Sequence, residues 1–370
     1  MANRTGFSRR NMIQAAAAMG GLALTDKVQS ARLKGARLGE SGLTLASQPV
    51  RLFKTADPNR ERTESWAINL FVQAHEDVAL TPVRMEVELF KGTRLVKRTL
   101  HDEPGVGALA IPARGITPKL PDGRSPVAPL FWPVVLRIRH SEPAAAGIDS
   151  MHIAVTLADP NAHKTLVAVT LAVETYHQKT ALIYPFRGKG IIQQAGVSNG
   201  GHRNRSGQFA LDGMGLTDTY GVMPVPGPGD APSEYAGWGR AILAPADGLV
   251  TTARGDRPDQ PNANTSDPAF FAPEYPNGGD PGNHVIIDHG NGEFSMIAHL
   301  QAGSLGVQAG SRVRQGDILG KLGASGDASG PHVHYQLQAG PDWQYADALP
   351  CAFSNIRGPA LMRGTYFEAT

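Results

Sequence analysis

Hydrophobic and polar positions alternate with a period of two through much of the chain between residues 47 and 176. Val83, Met85, Val87 and Leu89 alternate with Arg84, Glu86 and Glu88, and Leu136 and Ile138 with Arg137 and Arg139. Ile153, Val155 and Leu157 repeat the pattern, as do Val167, Val169, Leu171 and Val173, and residues 66–74 form another such run. Successive side chains of a strand point to opposite faces, so this alternation predicts half-buried strands. Turn signals such as Asp57-Pro58-Asn59 and Asp159-Pro160-Asn161 separate the runs. Several short strands at this spacing predict an antiparallel, immunoglobulin-like β-sandwich over residues 47–178. Its histidines, His75, His101, His140, His152 and His163, are scattered singly and are expected to be surface or cap residues. The role expected of this domain is positional or adhesive.

From about residue 179 the pattern changes. Residues 182–188 predict a first apolar strand closed by a turn, and residues 242–250 a strand, a turn and a strand start. Residues 282–288 predict a strand running into the Asn291-Gly292 turn, with 294–300 as its return. Residues 307–310 and 313–323 predict a strand–turn–strand with glycines at the corners. The final strand is entered through Gly330-Pro331 and reads His332-Val333-His334-Tyr335-Gln336-Leu337. Residues 213–239 and 254–282 are rich in Gly, Pro, Asp and Asn and lack periodicity. Loops this long are commonly functional, and both are expected to flank a cleft. The chain is therefore expected to be all-β, with a second domain over 179–370 whose core spans about 182–340.

Composition agrees. Of 370 residues, 41% are hydrophobic and 18% charged, and the 43 glycines and 28 prolines favour a turn-rich β protein. No apolar run after the N-terminus is long enough for a transmembrane helix. With Cys351 as the one cysteine, an intrachain disulfide and a Cys-rich zinc cluster are both excluded, so a metal site must use His and carboxylate. The formal charge of +2 is concentrated at the start, where Arg4, Arg9, Arg10 and Lys27 face only Asp26. The body of the chain has no basic excess, which argues against nucleic-acid binding. Ser8-Arg9-Arg10-Asn11-Met12-Ile13-Gln14 followed by an Ala-rich apolar stretch resembles a twin-arginine export signal. Residues 1–31 are read as that signal and 32–46 as a linker, which places the mature protein in the periplasm or outside the cell.

His332 and His334, at i and i+2 of a strand, share a face. Two imidazoles side by side are costly to bury unless their lone pairs are used, and a divalent metal uses them well. Upstream lie His202 after Gly200-Gly201, Asp212 at the end of a short apolar run, and His299 in a return strand. A catalytic zinc site takes three N or O ligands and keeps one position open. His202, Asp212 and one of the two strand histidines supply that set, and the residues alone leave open which one. The remaining histidines would lie beside the metal, placed to take a proton or to hydrogen-bond an oxyanion.

The order Gly-x-His, Phe-Ala-Leu-Asp, Gly-Asn-x-Val-x-Ile-Asp-His-Gly, Ala-His-Leu and Ser-Gly-x-His-x-His resembles the lysostaphin/LytM-type zinc endopeptidases over residues 182–340. The resemblance implies a β-sheet core with a groove, bound Zn2+, and hydrolysis of peptide bonds in peptidoglycan stem or cross-bridge peptides. It also implies that His202, Asp212 and His334 are the metal ligands, with His299 and His332 as the catalytic pair. One departure is the spacing from His202 to Asp212, which carries an insertion over 203–207. Outside this set, His284 and His289 are expected to be structural and Asp288 turn-forming. Asn283 has either a turn or a substrate role.

Three other readings compete. A biotinyl- or lipoyl-carrier hairpin would need a modifiable lysine flanked by Met at its tip, and none is present. A non-haem iron triad would need a close His-x-Asp/Glu, also missing. A catalytically inactive scaffold that activates other wall hydrolases is expected to have lost ligands, whereas all five positions are kept here.

Overall fold

The computed structural model describes residues 43–48, 51–56, 62–74, 79–110, 131–196, 202, 206–275, 279–357 and 361–370. The signal expected at 1–31, most of the 32–46 linker, the Asp57-Pro58-Asn59 turn, His75, Gly200-Gly201 and residues 203–205 lie outside the described residues. Among those described, no helix is long and apolar enough to cross a membrane. Residues Gly35–Thr370 form one compact unit, which contains two large buried apolar clusters.

The first part is built from β1 (Thr44–Gln48), β2 (Leu52–Ala56), β3 (Thr63–Ala74), β4 (Thr81–Lys91), β5 (Arg94–His101), β6 (Phe131–Pro143), β7 (Ser150–Ala158) and β8 (Lys164–Thr175). Strand β3 pairs antiparallel with both β1 and β6, while β8, β7, β4 and β5 form an antiparallel run. Strand β2 joins the two groups, antiparallel to β3 and parallel to β8. The alternating residues do what their spacing predicts. Met85, Val87, Leu89, Ile153, Val155, Leu157, Val167 and Val169 bury in one cluster with Ile68, Leu70, Leu136 and Ile138. Each such side chain contributes roughly 1.5–3 kcal/mol by leaving water. His140 departs from the surface role expected of it. Its ring stacks on Trp66 at 5.6 Å, and burial pushes its pKa down to about 4.

The second part holds β9 (Gly188–Ala195), β10 (Leu211–Gly215), β11 (Ala241–Leu243), β12 (Gly248–Arg254), β13 (Asn283–Asp288), β14 (Phe294–Leu300), β15 (Arg312–Val313), β16 (Ile318–Lys321), β17 (Val333–Gln338), β18 (Ala348–Leu349), β19 (Ile356–Arg357) and β20 (Tyr366–Ala369). The main sheet runs β15-β12-β13-β14-β17-β10-β9-β20-β19, with β18 also on β17 and β11 paired to β16. One face, carrying Val285, Ile287, Ile297, Val333, Tyr335 and Leu337, packs onto the core with Tyr184 and Phe186.

Two expected strands are absent. Within the expected 182–188 strand, residues 182–187 form only a bridge from Leu182 to Phe353, and pairing starts at Gly188 with β9. Pro185 removes a ladder donor there, and the segment is instead held piecemeal, Ile183 N–H donating to Pro245 O (2.9 Å) and Tyr184 N–H to Asn355 Oδ1 (2.7 Å). Residues 307–310 are loop, and the pairing begins at β15. Strand β1 starts at Thr44, inside the expected linker, because it finds β3 as a partner.

The two parts are tied together by chemistry the alternation did not expose. The buried Glu293 carboxylate accepts the Tyr176 hydroxyl, Lys179 N–H (2.7 Å) and Thr180 N–H (2.8 Å), all from the connection after β8. Phe53 of β2 is buried in the second core. It lies 6.3 Å, ring to ring, from Phe209. Gln208 Nε2 donates to Ala67 O of β3 at 3.3 Å.

Candidate metal centre

The second face of the main sheet carries the polar chemistry. Along β17, Val333, Tyr335 and Leu337 point into the core, which sends His334, Gln336 and Gln338 to the opposite face. His332 lies one residue before the strand. Strand β10 pairs with β17 so that Asp212 stands opposite His334. On its other side, β17 places His334 opposite Ala298 of β14, one residue before His299.

His202, which lies outside the strands, joins Asp212 and His334, with one donor atom from each within 4.8 Å of the others. His334 Nδ1 lies 2.9 Å from Asp212 Oδ1, and His202 Nε2 lies 3.2 Å from Asp212 Oδ2. The rings of His202 and His334 meet edge to face at 4.5 Å. Burial by itself would raise the pKa of Asp212. The neighbouring His202, its hydrogen bond and the close contact with His334 outweigh it and hold the carboxyl well below its ordinary range. Burial lowers the pKa of His202, but the facing Asp212 carboxylate prevails and raises it.

His299 and His332 sit beside this trio, with ring centroids 4.7 Å apart. His332 Nε2 is 3.9 Å from Asp212 Oδ1. His299 Nδ1 lies 2.8 Å from Ser325 O, and His332 Nδ1 lies 2.9 Å from Gly330 O. A carbonyl only accepts, so both Nδ1 atoms carry the proton and both Nε2 atoms keep their lone pairs. His299 adopts a left-handed φ of +61°, unusual for a residue with a side chain. Burial drives its pKa well below the ordinary value, with His332 and His334 adding to the effect.

The other candidates are used elsewhere. Asn283 braces loops, Nδ2 donating to Arg257 O (2.8 Å) and Leu300 O (3.1 Å) while Oδ1 accepts Arg257 N–H (2.8 Å). Asp288 Oδ1 accepts Gly290 N–H at 2.7 Å, closing the turn. His289 Nδ1 donates to Asp247 O (2.7 Å), and its Nε2 accepts from Ser295 (2.8 Å), whose oxygen contacts the Tyr335 hydroxyl (2.9 Å). That chain lies on the core side of the sheet.

A cleft of about 420 Å3 opens on the metal-bearing face, lined by Thr252, Arg254, Tyr275, His284, Ile286 and Trp343 among others. Ile286 of its lining clusters with Met296 and Ala298, and Ala298 stands opposite His334. Tyr275, from the 254–282 loop, and Trp343 form part of its lining, their rings 5.6 Å apart. The two long loops also hold each other. Ala263 N–H donates to Asp230 O (2.7 Å), and Asn264 Nδ2 donates to Gly229 O (2.9 Å). Sequence reasoning missed Tyr275, Trp343 and the two β17 glutamines, although Gln336 and Gln338 continue the i, i+2 spacing of the histidines.

The donor set fits a divalent metal. With His334 Nε2 engaged by Gln336 Oε1 at 2.9 Å, its Nδ1 lone pair faces a carboxylate oxygen. A proton or a metal cation between the two satisfies both. Two imidazoles and one carboxylate make the donor set of a mononuclear metallohydrolase.

The comparisons match part of the chain to a family of known peptidases. Residues 235–346 match peptidase family M23, a segment that holds His299, His332 and His334 but not His202 or Asp212. Over 57 residues the chain is 45% identical to the DD-carboxypeptidase/endopeptidase Mpg of Neisseria meningitidis, covering 15% of this chain and 13% of that protein. Over 56 residues it is 44% identical to the peptidoglycan DD-endopeptidase ShyC of Vibrio cholerae, covering 15% and 12%. Over 160 residues it is 26% identical to the cell division protein DipM of Caulobacter vibrioides, covering 42% and 22%. The matches thus span less than a quarter of each relative's length. The family match falls within the second part of the chain, over residues 235–346.

Proposed function

We propose that this protein is a zinc-dependent endopeptidase acting on peptidoglycan stem or cross-bridge peptides, with Zn2+ held by His202 Nε2, Asp212 and His334 Nδ1. The observation that carries the reading is the convergence of these three donors on one sheet face, beside two histidines that both present Nε2 lone pairs. The named activities of Mpg and ShyC supply the substrate class. When bound, zinc supplies a Lewis acid that polarises a peptide carbonyl and lowers the pKa of water to roughly 7.

The chain's own residues do the rest. His299 and His332, fixed by Ser325 O and Gly330 O, offer Nε2 to take a proton from the attacking water and return it to the leaving amine. A positioned imidazole of this kind contributes about 10²–10⁴-fold. The cleft floored by Ile286, Met296 and Ala298 and lined by Tyr275 and Trp343 lays a peptide along the sheet toward His334. An inactive scaffold role is not favoured, because no position of the histidine and aspartate set is lost. The paired arginines and apolar stretch near the N-terminus support export by a twin-arginine route to the periplasm or beyond.

The test is release of soluble muropeptides from purified sacculi by the zinc-loaded protein, with His334→Ala alongside. Release by the wild type alone supports the reading, and fragment masses give the bond cut. Stoichiometric zinc in His334→Ala would sink the ligand assignment.

A further inference from the structure

Strand β17 continues the metal face beyond His334 with two buried glutamines. His334 Nε2 lies 2.9 Å from Gln336 Oε1, Gln336 Nε2 lies 2.5 Å from Gln338 Oε1, and Gln338 Nε2 lies 2.7 Å from Gly340 O. Gln336 and Gln338 are 1% and 0% exposed. We propose that Gln336 and Gln338 form a one-way hydrogen-bond relay, anchored at the Gly340 carbonyl, that fixes which nitrogen of His334 is free to bind the metal.

The direction follows from the anchor. A backbone carbonyl only accepts, so the amide of Gln338 must donate to it. That turns Gln338 Oε1 toward Gln336, whose amide donates in turn. Gln336 Oε1 is then left facing His334 Nε2, and only a protonated Nε2 satisfies it. The proton is held on Nε2, and the lone pair stays on Nδ1, the atom aimed at Asp212. A flipped Gln336 would present N–H to Nε2 and move the proton to Nδ1, where it blocks ligation. Buried amides have no water to repair such a flip, so an error at one link costs an unsatisfied polar group at the next. Partners of this kind typically change metal affinity about 10–100-fold when removed. Gly340 adjoins Pro341, Asp342 and Trp343 of the cleft wall, so the anchor and the wall share one loop.

The relay rests on the ligand assignment above, and the experiment separates the two. Zinc affinity is measured by chelator competition in full-length wild type, Gln336→Met, Gln336→Glu, Gln338→Met and His334→Ala. Imidazole 15N shifts report the His334 tautomer in the zinc-free protein. Gln336→Met keeps volume but removes the acceptor, and a loss of about 10–100-fold in affinity is expected with a mixed tautomer. Gln336→Glu keeps an acceptor for Nε2 but sets a second acceptor against Gln338 Oε1, so it should retain the Nε2–H tautomer that Gln336→Met loses, whatever its zinc affinity. Gln338→Met frees the Gln336 amide to flip and should give a mixed tautomer, a readout that stands even if Gln336→Met does not fold. An unchanged Nε2–H tautomer with zinc affinity within twofold of wild type (about 0.4 kcal/mol) in Gln336→Met or Gln338→Met overturns the relay. So does a mixed tautomer in Gln336→Glu equal to that in Gln336→Met, which would mark a packing role. Zinc retained by His334→Ala overturns the ligand assignment, while the tautomer measurement still judges the relay.

Discussion

Asp212 and His334 stand directly opposite each other in the antiparallel register of β10 and β17, with Oδ1 and Nδ1 2.9 Å apart. Their separation along the chain is 122 residues. Strand pairing therefore sets the carboxylate–imidazole distance, and the loop between them does not. The same pairing puts His334 against Ala298. The proposed ligand and base positions thus depend on the ladders of β10, β17 and β14.

The division of labour among the histidines can be tested by separating metal content from turnover. His299→Ala and His332→Ala should keep stoichiometric zinc and lose about 10²–10⁴-fold in kcat. Zinc content by atomic absorption and turnover on purified muropeptides check this. Loss of zinc from His299→Ala would move that residue into the ligand set.

The fit beneath Asp212 offers a second test. A Cβ at Gly213 would collide with the Tyr184 hydroxyl. That hydroxyl is buried and makes no hydrogen bond among the described residues. Gly213→Ala is expected to cost about 1–3 kcal/mol through overpacking and to weaken zinc binding by shifting Asp212. Tyr184→Phe removes an unsatisfied donor and should be neutral or stabilising alone. Combined with Gly213→Ala it should recover part of the loss in urea midpoint.

Acid sensitivity of the first part should centre on His140. Its folded pKa is about 4 against an ordinary 6.5, so the unfolded chain takes up a proton first as pH falls. The stabilisation is complete above about pH 6.5 and is lost as pH drops toward 4. At about 1.4 kcal/mol per pKa unit, and with the ring partly exposed, the loss between pH 7 and 5 is about 2 kcal/mol at most. His140→Phe keeps the stack on Trp66 and should flatten this part of the urea midpoint against pH curve. A curve unchanged by the substitution would refute it.

Substrate grip is expected to fall on the aromatic lining. Trp343→Ala opens the cleft beside Tyr275 and should raise KM about tenfold, equivalent to about 1.4 kcal/mol, with a smaller change in kcat. Steady-state kinetics on a stem-peptide substrate read both. An unchanged KM would place the peptide elsewhere on the face.

By itself the sequence determined much of this protein. Period-two alternation identified β4, β7, β8 and the even-numbered face of β17, because side-chain direction in a strand is a local property. Glycine and Asn-Gly signals identified the β13–β14 hairpin for the same reason. The five candidate side chains were legible as residue types in an order, and the lack of further cysteines restricted any metal to His and carboxylate. Only the tertiary structure decided what they touch. The Asp212–His334 register, the stack of His140 on Trp66, the capture of the 176–180 connection by Glu293 and the meeting of Tyr275 with Trp343 all join residues far apart in the chain. No local preference encodes such pairs, since their energy appears only once separate strands and loops are packed. The direction of the Gln336–Gln338 relay belongs to the same class. The spacing placed the glutamines on the metal face, but the carbonyl of Gly340 decided which way their amides point.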